Sequence, residues 1–426
     1  TFVEHFVQKR TPVELKASGA GAELRVGGRL HPVADAEGSD AEALGSDLDF
    51  ELTGDRIGSL AAWVGVAPGA AQAYTLKGGL THTGKDISLQ MEEARIGASA
   101  FAGVAGIRHE GGTPVTFADL KFEVLDLKGL TSVLPERPQT EQSGALTPGP
   151  EILTIDVPIL PNGIELFDSD LNIVLARAKL EPIDFTRVTA SATIRDGYVA
   201  NAPLSATAAG ARFQGDFGID LRGAVPQVDL QVKSSRVDVG KLLAELGLVE
   251  GLALTAGGFD LGLAVKGAST REMLEQSSLR VAMKDGALTL TAPGAEEGVN
   301  ISVSKALISA EPRQPIALTM DGRIDETPLQ MRIKTETLGS FARPKKRLTM
   351  NLGVAVLGAE LRLSGAAPLP MRVEDLHFAM DFTGTHFSDF NELLKVDLPP
   401  IGPYRLAGEF GSRPSGFYVQ NLALTV

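Results

Sequence analysis

Leu279, Val281 and Met283 alternate with Arg280, Ala282 and Lys284, and the same two-residue rhythm recurs down the chain. Ile316, Leu318 and Met320 keep it, as do Leu329, Met331 and Ile333, then Leu348, Met350, Leu352 and Val354. A period of two puts every apolar side chain of a run on one face of a strand. Asp285-Gly286 leads into Leu288 and Leu290, and Asp321-Gly322 follows Met320. Asp-Gly between alternating runs predicts a type I′ hairpin turn, because both central residues need positive φ. Gly358 predicts a further turn ahead of Leu361 and Leu363. The expectation is an antiparallel meander with one aliphatic face and one small or polar face.

The rest of the chain follows suit. Leu24 and Val26, then Leu48, Phe50 and Leu52, read as strands around an acidic Gly/Ala-rich loop from Ala34 to Gly45. Further strands are predicted around Ile87–Met91, Phe117–Leu127, Leu171–Leu175, Val188–Ile194, Phe213–Leu221 and Val228–Val232. From Asp238 to Leu246 apolar residues fall three and four apart and Gly247 stops them, which predicts a short helix. Thr270 to Ser277 is predicted as another, with Thr270 as N-cap. Helix is thus confined to about four short pieces, roughly a tenth of the chain against the usual third. Pro135 to Pro150 holds four prolines and two glycines without a period. It reads as a linker or insertion between a first segment, 1–134, and a second, 151–426.

Ile57 to Leu76 carries no charge, which raises the possibility of a membrane span. An internal repeat removes it. With Tyr74 placed on Tyr404, Leu60 falls on Phe390, Trp63 on Leu393 and Val66 on Val396, and Leu76, Gly78 and Leu80 fall on Leu406, Gly408 and Phe410. The second copy interleaves Asp389, Glu392, Lys395, Asp397 and Arg405, which a bilayer would not tolerate. Both copies read as a helical turn, a Pro/Gly loop and a strand.

Composition narrows the partners. Aromatics make up 5% of the 426 residues, with one Trp and four Tyr, so the apolar face is aliphatic and lacks the girdles of an outer-membrane barrel. A net charge of −13 argues against nucleic acid or an anionic surface as the main partner. The basic run Arg343 to Arg347 reads as a solvated turn. There is no cysteine. His5, His31, His82, His109, His377 and His386 show no metal-binding spacing, and Asp47, Asp49 and Asp55 lack the ligand run of a calcium loop. No nucleophile elbow, phosphate loop or dinucleotide fingerprint is present. The reading is a non-enzyme without metal or cofactor. The chain opens on what reads as mid-domain sequence and closes in a strand pattern, so it is expected to be a piece of a longer protein.

The function then turns on what covers the aliphatic face. About thirty Leu, Ile, Val and Met side chains would each cost about 1.5–3 kcal/mol if left in water. A second sheet would make a sandwich. Helices are too few. Acyl chains would make the face a groove, which the flexible Leu and Met contacts and the repeated strand units favour. The candidate lining residues are Leu279, Val281, Met283, Leu288, Leu290, Ile316, Leu318, Met320, Leu329, Met331, Ile333, Leu348, Met350, Leu352 and Val354.

Phe387 to Phe410, its copy at Ile57–Leu80, and the run from Phe185 resemble the AsmA family of bacterial envelope proteins. The Phe185 run has that family's order of a strand, Arg195-Asp196-Gly197, a second strand, a small-residue strand with Ala209-Gly210-Ala211, and a short Asp238-Val239…Leu242-Leu243 helix. The resemblance implies an extended, curved, mainly antiparallel sheet forming a hydrophobic groove in the periplasm, tethered to the inner membrane by an N-terminal helix absent from this chain. It further implies phospholipid as the partner, moved between inner and outer membrane, and a part in outer-membrane assembly. The alternative is a β-sandwich scaffold or assembly factor with no conduit. A hydrolase of envelope polymers is set aside for want of a site.

Overall fold

The computed structural model describes residues 11–19, 21–33, 43–56, 72–126, 168–180, 183–223, 225–249, 251–291, 298–342, 347–369, 371, 376–413 and 416–426. Strand accounts for 75% of them and helix for 7%, as the alternation predicts. The predicted linker at 135–150, residues 57–71 of the first repeat copy, most of the acidic tract and Arg343 to Lys346 lie outside the described residues. The chain divides into two compact units, residues 1–145 with 165–207 and residues 146–164 with 208–426.

The first unit holds β1 (Thr11–Gly19), β2 (Ala22–Val33), β3 (Ala43–Gly54), β4 (Tyr74–Thr83), β5 (Asp86–Ile96), β6 (Ser99–Glu110), β7 (Thr113–Asp126), β8 (Asp168–Leu180), β9 (Ile183–Ile194) and β10 (Tyr198–Ala208). Each strand pairs with the next. Every pairing is antiparallel except that of β7 with β8, which is parallel. Gly111-Gly112 and Asp196-Gly197 make two-residue turns in which both φ angles are positive. This is the geometry that matches strand twist.

The second unit opens with β11 (Ala211–Asp220), β12 (Gln227–Ser234), β13 (Val237–Asp238), α1 (Val239–Glu245), β14 (Ala253–Ala256), β15 (Gly258–Lys266), α2 (Thr270–Glu275) and β16 (Ser278–Leu290). It continues through β17 (Val299–Ala310), β18 (Pro315–Ile324), β19 (Thr327–Thr337), β20 (Arg347–Val356), β21 (Ala359–Pro368), β22 (His377–Gly384), α3 (Asn391–Leu394), β23 (Tyr404–Arg413) and β24 (Gly416–Thr425). Strand β12 pairs with β15, and from β15 onward each strand pairs antiparallel with the next. The short β13 and β14 pair with each other and prolong that hairpin, β14 also lying against β16.

Two predicted turns are overturned. Asp285-Gly286 lies inside β16, where Leu288 pairs with Leu254 on one side and Ile301 on the other. Asp285 has φ 52°, so the pair makes a bulge in a continuous strand. Asp321-Gly322 lies inside β18. A Cβ on Gly322 would stand 2.6 Å from the Ser302 carbonyl oxygen, where β17 and β18 slip by one residue. The turn comes at Asp325, with φ 52°. The Gly358 turn is present, between paired Val356 and Ala359.

The helix at Asp238 is as expected, its carboxylate accepting the Lys241 N–H at 2.8 Å. The next helix is capped by Ser269, not Thr270: the Ser269 side chain accepts from Glu272 N–H, and Thr270 is already the first helical residue. A 3₁₀ turn at Leu338–Ala342 has no counterpart in the sequence reading.

Candidate functional site

Register assembles the alternating residues into rows, because residues directly opposite in an antiparallel pair project to the same face. One row crosses nine strands of the second unit: Met283, Ala306, Met320, Met331, Val354, Leu361, Phe382, Leu406 and Leu424. A second runs beside it through Val281, Ile308, Leu318, Ile333, Leu352, Leu363 and Met380. The first unit has equivalents. Leu48, Leu80, Leu89, Ala105, Ala118, Leu171 and Ala192 are opposed in sequence, each half-buried.

A line of bulges keeps the face continuous in the second unit. Met283 and Leu288 are five residues apart and would sit on opposite faces of a regular strand, yet both are buried in one cluster. Val303 and Ala306 on β17, three residues apart, show the same odd-numbered step, as do Ala256 and Phe259 across β14 and β15. The extra residue falls at the same level in each, so the inversions cancel.

The structure sorts the predicted lining residues into two buried clusters. Val281, Met283, Leu288, Met320 and Leu329 belong to the first, with Leu279, Leu318, Met331 and Val354 packed against it. Met350 belongs to the second, together with Leu363, Ala367 and Phe378, and Ile333 and Leu352 pack there. Ile316 and Leu348 are half-buried near the strand ends. Leu290 is 45% exposed, opposite an equally exposed Val299. On the last strand Phe417, Val419, Leu422 and Leu424 are about half exposed, β24 pairing with β23 alone among the described residues.

Part of this face is covered by the protein itself. Strands β12 and β13 deliver α1 at the end of the sheet where β14 meets Ala287 and Thr289. Leu242, Leu243 and Leu252 of that connection pack against the first cluster. The chain then reaches the β21–β22 connection, which leaves the strands at the opposite end: Met371 N–H donates to Leu248 O at 2.9 Å, and Val249 bridges to Met371. Met371 in turn packs against the second cluster. Both feet of the span therefore stand on the aliphatic face.

The repeat is visible as geometry. Gly54 pairs with Tyr74 and Gly384 with Tyr404, and a Cβ on either glycine would meet the tyrosine hydroxyl oxygen at 2.5 and 2.3 Å. Both hydroxyls are buried without a hydrogen-bond partner among the described residues. In both copies the register slips three to four residues beyond the tyrosine, at Lys77/Gly78 and at Ala407/Glu409. Phe387 stacks on Tyr404 with ring centroids 4.0 Å apart, and Phe390 meets Phe382 edge-on, which seats the helical turn of the second copy. The sequence alignment of the tyrosines could have been extended back to these glycines.

The reverse face is charged and self-neutralising. Opposite charges stand two residues apart on one strand, as in Glu23–Arg25, Glu93–Arg95 and Glu360–Arg362. Others pair across strands, as Arg405 with Asp381 at 2.7 Å. Hydrogen bonds from Arg405 and Arg362 hold the Asp381 and Glu360 carboxyls below the usual carboxylate range, and Arg222 holds Asp220 down to about 2. Around the parallel pair, Arg108 and Arg195 both contact Asp170. Among the described residues no three His, Asp or Glu gather as a metal site, and no helix is long and apolar enough to cross a membrane. No family model, curated protein or solved structure matches the chain.

Proposed function

We propose that the aliphatic face binds the acyl chains of phospholipid and conducts them between inner and outer membrane in the bacterial periplasm, as the resemblance to the AsmA family implies. The observation that carries this reading is the unbroken row from Met283 to Leu424, set against a charged reverse face. Acyl chains would exchange a bilayer for a strip of Leu, Met, Val and Phe. Headgroups would stay in water at the margin. The chemistry is passive, and the side chains given a role are apolar, so no catalytic group is invoked. The scaffold reading draws on the two buried clusters, in which part of the face is packed against the protein itself.

Native mass spectrometry after gentle purification tests the proposal, with phospholipid expected to remain bound. A stable, monodisperse and lipid-free protein would sink it in favour of the scaffold.

A further inference from the structure

We propose that the reverse face of the second unit carries a basic seat between β16 and β19, and that its occupant is an acidic helical segment of a partner protein. The inference is independent of what the aliphatic face carries.

Register lays three rows across these four strands, on the face opposite Met283 and Met320. Arg280 and Lys334 end the first row, with Ser309 and Ala317 between them. The second runs through Ala282, Leu307 and Thr319 to Arg332. The third sets Lys284 directly against Lys305, followed by Asp321 and Gln330. Five cations thus share the rows with one carboxylate, in a chain whose net charge is −13. On the flanking strands Asp260 is matched by Lys233 and Glu360 by Arg362. Within the rows that matching stops. None of the five cations forms an ion pair with a described residue, including Lys305, which lies opposite Asp321. Like charges directly opposed across an antiparallel pair are destabilising. Lys284 leans away from Lys305 accordingly: a Cβ on Gly258 would meet its Cε at 2.6 Å, so its stem lies across β15. An anion settling over the rows relieves that repulsion.

Shape selects the kind of anion. Small ligands are held in concave pockets, whereas these rows lie on a sheet face with all five cations exposed, which suits a macromolecule. The cations rim a floor in which Ala282, Leu307, Ser309 and Ala317 are half-buried. Arg280 and Lys334 stand three strand spacings apart, about 14 Å. A helix about 10 Å across fits between them. Its apolar stripe would rest on Ala282, Leu307 and Ala317, and carboxylates on its flanks would reach the cations on either side. A bilayer fits less well. A broad anionic surface would also press on Asp260, Asp321 and Glu360, which share this face, and would meet a chain of like net charge.

The test titrates the whole chain against a fluorescent, hydrocarbon-stapled peptide of about 20 residues, with alanine and leucine along one helical stripe and glutamate on both flanks. Anisotropy reads the affinity. The Lys284→Gln, Lys305→Gln double variant should bind about tenfold more weakly, as should Arg280→Gln with Lys334→Gln, because each loses two modest exposed charge contacts. Ala317→Phe raises the floor without changing a charge and should weaken binding a few-fold. Arg25→Gln, on the reverse face of the first unit, should bind as the parent does. Absence of binding by the parent, or equal affinity in the four-strand variants and in Arg25→Gln, would overturn the seat. Phosphatidylglycerol vesicles are the competing probe. If they bind through the same cations and ignore Ala317→Phe while the peptide does not bind, the occupant is a membrane surface and the acidic helix is overturned.

Discussion

The two units carry the same alternation to different ends. In the first, the row from Leu48 to Ala192 is half-buried throughout, and several positions on that face hold alanine or glycine. Gly103 is one of them: a Cβ there would lie 2.0 Å from the Asp119 carbonyl oxygen, so the strand approach itself excludes a side chain. In the second unit the equivalent rows carry Leu, Met and Phe, and a connection packs against part of them. Met320 and Leu329 are 5% exposed and Leu363 is 4% exposed. Period-two patterning therefore decides which face is apolar. Whether that face stays accessible is decided by side-chain volume and by where the connections run.

The largest expected effect breaks or upholds this contrast directly. Met320→Glu buries a carboxylate without a partner and should cost about 3–5 kcal/mol. Leu89→Glu places the same group on a half-buried strip with water at hand and should cost about 1–2 kcal/mol. Urea unfolding of the two variants measures both. Equal losses would mean that the faces are alike and the contrast is wrong.

A smaller effect tests where the units are equivalent. Gly54→Ala and Gly384→Ala each push a methyl into a tyrosine hydroxyl and should cost about 1–3 kcal/mol. Tyr74→Phe and Tyr404→Phe remove a buried, unpartnered hydroxyl and should be neutral or stabilising by up to about 1 kcal/mol. Neither should rescue the alanine variant of its own pair, because the ring carbons Cζ and Cε1, which phenylalanine keeps, also stand within 3 Å of the added methyl. Rescue in one copy and not in the other, read from melting temperatures, would dissolve the structural repeat.

The smallest effect concerns the reverse faces. Asp220, Glu360 and Asp381 titrate below their unfolded values of about 4, so their stabilisation is complete above that value and is lost as pH falls through the folded ones. The melting temperature should hold from about pH 7 to 5 and decline below about 4. Decline already at pH 6 would place control with some other group. Arg362→Gln, which leaves Glu360 without its guanidinium, should make the acid decline shallower.

Strand content, the apolar face and the short helix at Asp238 were legible because each depends on residues close in sequence. Leu318 and Met320, or Met331 and Ile333, declare their face by spacing alone. Asp285-Gly286 misled for the same reason. The preference for positive φ that suits a hairpin turn equally suits a bulge, and only the strands on either side of β16 determine which is formed. The cover over the second unit was illegible. Leu248 and Val249 lie more than a hundred residues from Met371, and nothing local to either segment marks the other as its partner. The pairing of β7 with β8 was hidden likewise, since parallel partners need no turn signature between them.

The line of bulges through β14–β15, β16 and β17 also constrains how this chain can change length. A one-residue insertion in an ordinary strand turns everything beyond it inside out. Here neighbouring strands carry the extra residue in step, and Met283 and Leu288 stay on one side because Val303 and Ala306 make the same step beside them. Removing the residue from β16 alone would send Leu288 to the charged face and bring Thr289 inward. Shortening is tolerable only as a set of matched deletions, one in each strand that crosses the line. The crease makes separate stretches of sequence a single unit of permissible change.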